Sequence, residues 1–176
     1  MSGRTFTVFL LVIVAVFSRL IPHPWNLTAV GAVALFAGAH LKPRSLAFIV
    51  PLLAFFITDL ILGVHNTMIF TYGAVALCSL LGILFLQKPS PVKILGTSLT
   101  ASVIFFLISN FGVWLVGGLY PMTTEGLVNC FIMAVPFFQG QVIGDLLHSA
   151  VLFGAYAVIA KKFEFAPSLA NTKIKN

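Results

Sequence analysis

The chain contains 176 residues, of which 60% are hydrophobic and only 8% are charged. A soluble domain usually carries about a quarter of its residues as Asp, Glu, Lys or Arg, so this composition excludes an ordinary water-exposed surface. The long apolar runs indicate that lipid is the solvent. The net charge of +6 comes from basic residues at the ends of those runs, and we interpret it as a topology signal rather than a nucleic-acid-binding patch.

The apolar runs predict an all-α membrane protein with six transmembrane helices. They form one domain over residues 1–162, followed by a short cytoplasmic tail over residues 163–176. The first helix covers about residues 5–20 and ends before Pro22 and Pro24, because proline does not continue a helix. We expect this segment to be retained rather than cleaved as a signal peptide, since no small-x-small cleavage site follows it.

The second predicted helix starts after Asn26, a favourable N-cap residue, and runs to about Leu41. Its many Gly and Ala residues allow neighbouring backbones to approach closely, which favours a central position in the bundle. The next three helices are predicted at about residues 45–62, 68–86 and 94–119.

The last apolar stretch, residues 126–160, is too long for one crossing of a bilayer. Pro136 and Gly140 predict a division into a short apolar piece at 127–138 and a final span at about 141–160. The short piece would be an interfacial or re-entrant helix. One tilted, continuous helix is the alternative.

The basic residues predict the orientation of the bundle, because cytoplasmic helix ends are enriched in Lys and Arg. One set of helix ends holds Arg19 alone, and the other set holds nine basic residues. Those nine are Arg4, Lys42, Arg44, Lys88, Lys93, Lys161, Lys162, Lys173 and Lys175. We therefore expect both termini in the cytoplasm.

With that orientation, the polar residues of the apolar segments and their loops collect on the external side. The candidate substrate-binding residues are Arg19, His23, Trp25, Asn26, Asp59, His65, Asn66, Asn110, Trp114, Asp145 and His148. A charge in the hydrocarbon region is costly and usually has a function or a partner. The set predicts an outward-facing cavity for a small polar or amphipathic molecule. The alternative is an ion pair of Arg19 with Asp59 or Asp145 that fixes helix packing.

Asp145 and His148 lie three residues apart and therefore on one helix face. They could relay protons, or the carboxylate could simply satisfy a ring nitrogen of the histidine. The histidines lack the spacing of a metal site, and we see no nucleophile–base pair, Walker loop or dinucleotide motif. We therefore expect no enzymatic activity and no cofactor.

Three stretches carry a resemblance to a known group of proteins. They are residues 19–26, the residues Pro51, Thr58-Asp59-Leu60, Gly63 and His65, and residues 109–114. Together with the small-residue second helix they resemble a family of uncharacterised bacterial membrane proteins. That family is similar to the substrate-binding S components of energy-coupling-factor (ECF) vitamin transporters.

The resemblance implies a six-helix S-component-like bundle in the bacterial inner membrane, with a vitamin-like small molecule bound near the external face. It also implies an ECF transmembrane coupling subunit and ATPases as partners. The first helix, however, has bulky residues where S components carry their small-x-x-x-small docking pattern. Solitary S-component-like cobalamin importers ligate cobalt through a cysteine, and by that comparison Cys78 is the candidate ligand.

The sequence therefore leaves three alternative functions open. The first is a substrate-capture protein for uptake of a small molecule across the lipid bilayer. The second is a proton-coupled carrier or channel that uses Asp59, Asp145 and His148. The third is a structural or assembly subunit whose outer face binds another membrane protein.

Overall fold

The computed structural model describes residues 3–20, 27 and 29–164. Its secondary structure within these residues is entirely helical, as the sequence predicts. The elements are α1 (Gly3–Phe17) with a following 3-10 turn (Ser18–Leu20), α2 (Val30–His40), α3 (Arg44–Leu62), α4 (Met68–Phe85), α5 (Pro91–Val116) and α6 (Thr124–Glu164).

Four of these helices, α3 to α6, are long and apolar enough to cross a membrane, whereas α1 and α2 are shorter apolar helices. Most residues of the four long helices are not buried within the bundle, and many of the exposed ones are large and apolar, such as Leu60, Ile69 and Val158. Such a surface is stable in lipid and not in water. The fold is therefore that of an all-α protein of membrane type.

Helix α2 is the central element of the bundle. All of its residues from Val30 to Gly38 are buried, and it packs against each of the other five α-helices in the described chain. Small side chains make this burial possible, which confirms the central position predicted from its composition.

The start of α2 differs from the prediction. The helix begins at Val30 rather than directly after Asn26, which itself lies outside the described residues. The N-cap residue is Ala29, and its side chain makes no capping hydrogen bond to the first turn. Instead, Asp145 of α6 accepts a hydrogen bond from the N–H of Ala32 at 3.1 Å. A tertiary contact, and not a local N-cap, satisfies this first-turn donor.

Two glycines let α2 and α4 cross at backbone contact. A Cβ at Gly38 would overlap the carbonyl oxygen of Ser79, and a Cβ at Gly82 would overlap that of Leu35. Beside this crossing, the side-chain amide of Gln87 donates to the carbonyl of Gly38 at 3.3 Å. The end of α2 is thereby tied to the loop between α4 and α5.

Helix α5 begins three residues earlier than predicted, at Pro91. Proline is favoured in the first helical turn because its missing N–H would have no intrahelical partner there. The hydroxyl of Ser90 caps the same turn by accepting from the N–H of Lys93 at 3.4 Å.

The predicted division of the last apolar stretch is wrong, because α6 is one continuous helix through Pro136 and Gly140. Side chains before and after the proline hold the helix against α5: the rings of Phe131 and Phe138 lie 5.7 and 4.6 Å from the ring of Phe106. This packing offsets the backbone hydrogen bond that proline cannot donate.

The length of α6 also bears on the predicted tail. At 41 residues the helix is about 60 Å long, roughly twice the hydrocarbon thickness of a bilayer. It continues to Glu164, two residues past the domain boundary predicted at 162. The rest of the tail lies outside the described residues.

Candidate functional site

The two ends of the bundle differ in charge. Six exposed basic residues lie at one end, which we call the basic end: Lys42, Arg44, Lys88, Lys93, Lys161 and Lys162. The other end, which we call the Arg19 end, contains the 3-10 turn with Arg19 and the loops that follow α3 and α5.

A hydrogen-bonded ion pair lies at the Arg19 end. The guanidinium of Arg19 donates to Oδ1 of Asp59 at 2.9 Å and to the hydroxyl of Thr58 at 2.7 Å. The hydroxyl of Tyr72 donates to the other carboxylate oxygen at 2.8 Å, and Arg19 stacks over the ring of Phe55 at 4.5 Å. The side chains of Arg19 and Asp59 are only 16% and 3% exposed. This cluster ties the 3-10 turn after α1 to α3 and α4.

Asp145 forms a second buried site deeper in the bundle. Besides the N–H of Ala32, its carboxylate accepts from the hydroxyl of Ser102 on α5 at 2.7 Å. A Cβ at Gly31 would lie 2.8 Å from both carboxylate oxygens, so only glycine leaves room for them there. The carboxylate thus occupies the N-terminus of α2, where the helix dipole favours a negative charge.

Asp145 belongs to a row of buried polar side chains between α5 and α6, which we call the polar row. On one side of Asp145, the side-chain amide of Gln141 donates to the carbonyl of Ser102 at 3.2 Å. On the other side, the hydroxyls of Ser98 and Ser149 lie 3.1 Å apart. All five side chains are 5% exposed or less.

Each end of the polar row reaches a cavity. Ser149 lines a cavity of about 770 Å³ at the basic end, together with Ser90, Ile94 and Leu146. Gln141 lines a cavity of about 270 Å³ toward the Arg19 end. The row therefore links two cavities on the same helix interface.

The basic-end cavity has an aromatic wall. The ring of His40 lies 4.6 Å from that of Phe36, 5.3 Å from that of Phe153 and 4.2 Å from that of Tyr156. The Nδ1 atom of His40 lies 3.2 Å from the carbonyl oxygen of Phe36. The prediction of an outward-facing cavity did not include this wall, and the basic-end cavity is larger than the cavity toward the Arg19 end.

The smaller cavity combines aromatic and polar walls. Phe106 and Phe138 form part of its lining, together with Ser109 and Asn110. The amide nitrogen of Asn110 donates to the carbonyl of Phe106 at 2.7 Å. Asn110 is thus a predicted site residue that does line a cavity.

The other predicted site residues are not gathered around one cavity. His65 and Asn66 are exposed in the α3–α4 loop, where His65 lies 2.8 Å from the hydroxyl of Thr67. Trp114 donates to the carbonyl of Pro121 at 3.0 Å. His23, Trp25 and Asn26 lie outside the described residues.

One of the two interpretations of the Asp145–His148 pair was a hydrogen bond from a ring nitrogen of His148 to the carboxylate. The structure shows a different partner for His148. Its Nδ1 atom lies 2.8 Å from the carbonyl oxygen of Gly144 instead. A helical residue reaches the carbonyl four positions earlier more easily than a side chain three positions earlier, and Asp145 faces α2 and α5.

Cys78 is fully buried, and its sulfur lies 3.8 Å from the carbonyl oxygen of Ala101. It lines neither of the two cavities linked by the polar row, nor the groove of about 380 Å³ between α4 and α5. This position does not fit a cobalt ligand for a bound cobalamin.

The sequence analysis missed four members of the polar row, although a signal for them exists. Gln141, Asp145 and Ser149 recur at intervals of four residues on α6, and Ser98 and Ser102 do so on α5. Such spacing places each set on one helix face.

A helical bundle in which four helices are long and apolar enough to cross a membrane is consistent with the class of all-α membrane proteins. The chain belongs to a family of unknown function, DUF6580, whose profile matches residues 1–169. No curated protein and no solved structure matches it.

Proposed function

We propose that this protein is an integral membrane transport protein that binds a small molecule and moves it across the bilayer. The observation that carries the proposal is the polar row between α5 and α6 with a cavity at each end. A buried carboxylate such as that of Asp145 is costly in a membrane bundle, and here it lies among four further buried polar side chains that connect two cavities. A route for a polar solute or ion gives a reason for their position.

The membrane topology completes the proposal. All six helices cross or enter the bacterial inner membrane, and the basic end with both termini faces the cytoplasm. The exposed basic residues at that end support this orientation. Helix α2 has 11 residues, about 16 Å, so it enters only about half of the hydrocarbon region. Short buried helices of this kind are found beside the substrate sites of transporters.

The substrate is captured at the Arg19 end, in the cavity lined by Phe106, Asn110 and Gln141. Aromatic rings with a few amide and hydroxyl groups suit a small amphipathic molecule. A vitamin-like compound agrees with the resemblance to S components, and an ECF coupling subunit with its ATPases is the partner that this resemblance suggests.

Ligand binding by the purified protein tests this function. We expect native mass spectrometry to detect a bound small molecule, and Asn110→Leu to weaken its retention about tenfold or more, since a polar group of the ligand would lose its hydrogen-bond partner in the cavity. Asn129→Leu is the matched control, because Asn129 is exposed on α6 and lines neither cavity.

Two results would contradict the proposal. One is the absence of any ligand across a panel of vitamins and cofactors. The other is equal retention by the two asparagine variants. A stable stoichiometric protein partner without a small molecule would instead favour the assembly subunit.

A further inference from the structure

Asp145 is a buried carboxylate whose hydrogen-bond donors in the described chain are neutral groups. Its hydrogen bonds come from the N–H of Ala32 and the hydroxyl of Ser102. The salt bridge found in the described chain joins Arg19 to Asp59 instead. Ionised carboxylates are rare within membrane bundles, and a proton is the simplest species that can neutralise one.

Ser102 is placed to accommodate both protonation states of Asp145. Its hydroxyl has a single hydrogen and two acceptors within reach, Oδ2 of Asp145 at 2.7 Å and the carbonyl of Ser98 at 3.1 Å. When Asp145 is ionised, Ser102 donates to it. When Asp145 is protonated, Ser102 can accept from the acid and donate to Ser98, so no buried polar group loses its partner.

The polar row gives protons a way in from the basic end. Ser149 lines the 770 Å³ cavity, and its hydroxyl lies 3.1 Å from that of Ser98, with either oxygen able to donate. Ser98 precedes Ser102 by one helical turn on the same face of α5. The interchangeable hydroxyls of Ser149 and Ser98 therefore lie between the cavity and the turn of α5 that carries Ser102, whose hydroxyl contacts the backbone carbonyl of Ser98 and the carboxylate of Asp145.

We propose that Asp145 is a reversible proton-binding site that exchanges protons with the basic-end cavity along the polar row. A proton from water in the cavity adds to a carboxylate oxygen and changes the charge of the site from −1 to 0; release reverses the step. A role of this proton in driving transport rests on the proposed function, whereas the protonation itself does not.

The other titratable groups near this site are few. His148 on α6 and Cys78 on α4 interact electrostatically with Asp145. On α2, His40 lies at the far end of the helix. Near the Arg19 end, Arg19 of the 3-10 turn is paired with Asp59 of α3. The cation of α5, Lys93, is exposed at the basic end.

Infrared spectroscopy of the full chain in lipid nanodiscs tests the proposal directly. The protein has four acidic side chains, Asp59, Glu125, Asp145 and Glu164, so a protonated-carboxyl band can be assigned by substitution. Between mildly acidic and mildly alkaline pH we expect one such band from a buried group to disappear reversibly. It should be absent in Asp145→Asn and present in Asp59→Asn, which removes the carboxylate paired with Arg19.

A second variant keeps all four carboxyl groups. Ser102→Ala removes a donor that stabilises the ionised form, so we expect the midpoint of the titration to move about one to two units to higher pH. Thr100→Val, which alters an exposed hydroxyl on the same helix, should leave the midpoint unchanged.

The proposal is overturned if no buried carboxyl band titrates, if the band survives in Asp145→Asn, or if Ser102→Ala and Thr100→Val give equal midpoints. Should Asp145→Asn not fold, the comparison of the two hydroxyl variants decides the question alone. These outcomes are separate from ligand retention, so a protein that binds a ligand without the band would refute the proton site and leave the transport proposal standing.

Discussion

Removal of Arg19 should destabilise the bundle because it leaves Asp59 buried without its cation. We consider Arg19→Met, which keeps an unbranched apolar stem over the ring of Phe55 while deleting the charge. Asp59 would then keep the hydrogen bond from Tyr72 but lose its ion pair, with a side chain that is only 3% exposed.

The magnitude follows from that burial. Breaking one side of a buried ion pair costs about 3–5 kcal/mol, much of it from the uncompensated charge. Asp59→Asn removes the charge as well, so the double variant Arg19→Met/Asp59→Asn should cost clearly less than the sum of the two single changes. We expect a coupling free energy of at least about 2 kcal/mol.

This double-mutant cycle is measured as the free energy of unfolding in mixed micelles. It compares the wild type, the two single variants and the double variant. Arg44→Met is the control, because Arg44 is exposed at the basic end and its loss should change stability by no more than about 0.5 kcal/mol. If the costs of the single changes simply add, or if Arg19→Met behaves like Arg44→Met, the ion pair does not support the fold and the reasoning is refuted.

Three further outcomes are expected. Gly82→Ala should lower the free energy of unfolding by about 1–3 kcal/mol because its Cβ would overlap α2; Gly73→Ala, which meets open space, should be neutral or stabilising, and equal thermal unfolding of the two would contradict this crossing. In a Cys130→Ser variant, Cys78 should react with a membrane-permeant thiol reagent only after unfolding, and rapid labelling of the native protein would show that its burial is wrong. Pro136→Ala should raise the unfolding temperature, since the continuous helix regains a backbone donor; a lower temperature would indicate a required break at this position.

Much of the fold follows from the sequence because hydropathy and helix-breaking residues act locally. The limits of α3 and α4 agree with the prediction to within one residue. The errors arise where a distant contact decides the outcome. Packing on Phe106 carries α6 past Pro136, and Asp145 sets the start of α2.

The site was only partly predictable for the same reason. A charged residue within an apolar run is rare, so the sequence identified Asp59 and Asp145 as candidate site residues. Serine and glutamine are common enough in membrane helices that Ser98 and Gln141 carried no comparable signal. Their four-residue spacing becomes informative only once the rotation of α5 against α6 is known. The pairing of Arg19 with Asp59 was among the predicted alternatives, and the structure selects it.

The position of α2 has a consequence for how the protein can move. Because α2 packs against every other described α-helix, a displacement of this helix changes five interfaces together. Its two termini lie at different levels of the bundle, one at the carboxylate of Asp145 and the other beside the basic-end cavity through His40. A shift of α2 along its axis would therefore change the surroundings of Asp145 and the wall of the basic-end cavity at the same time. No movement of the loops would be needed to couple the two.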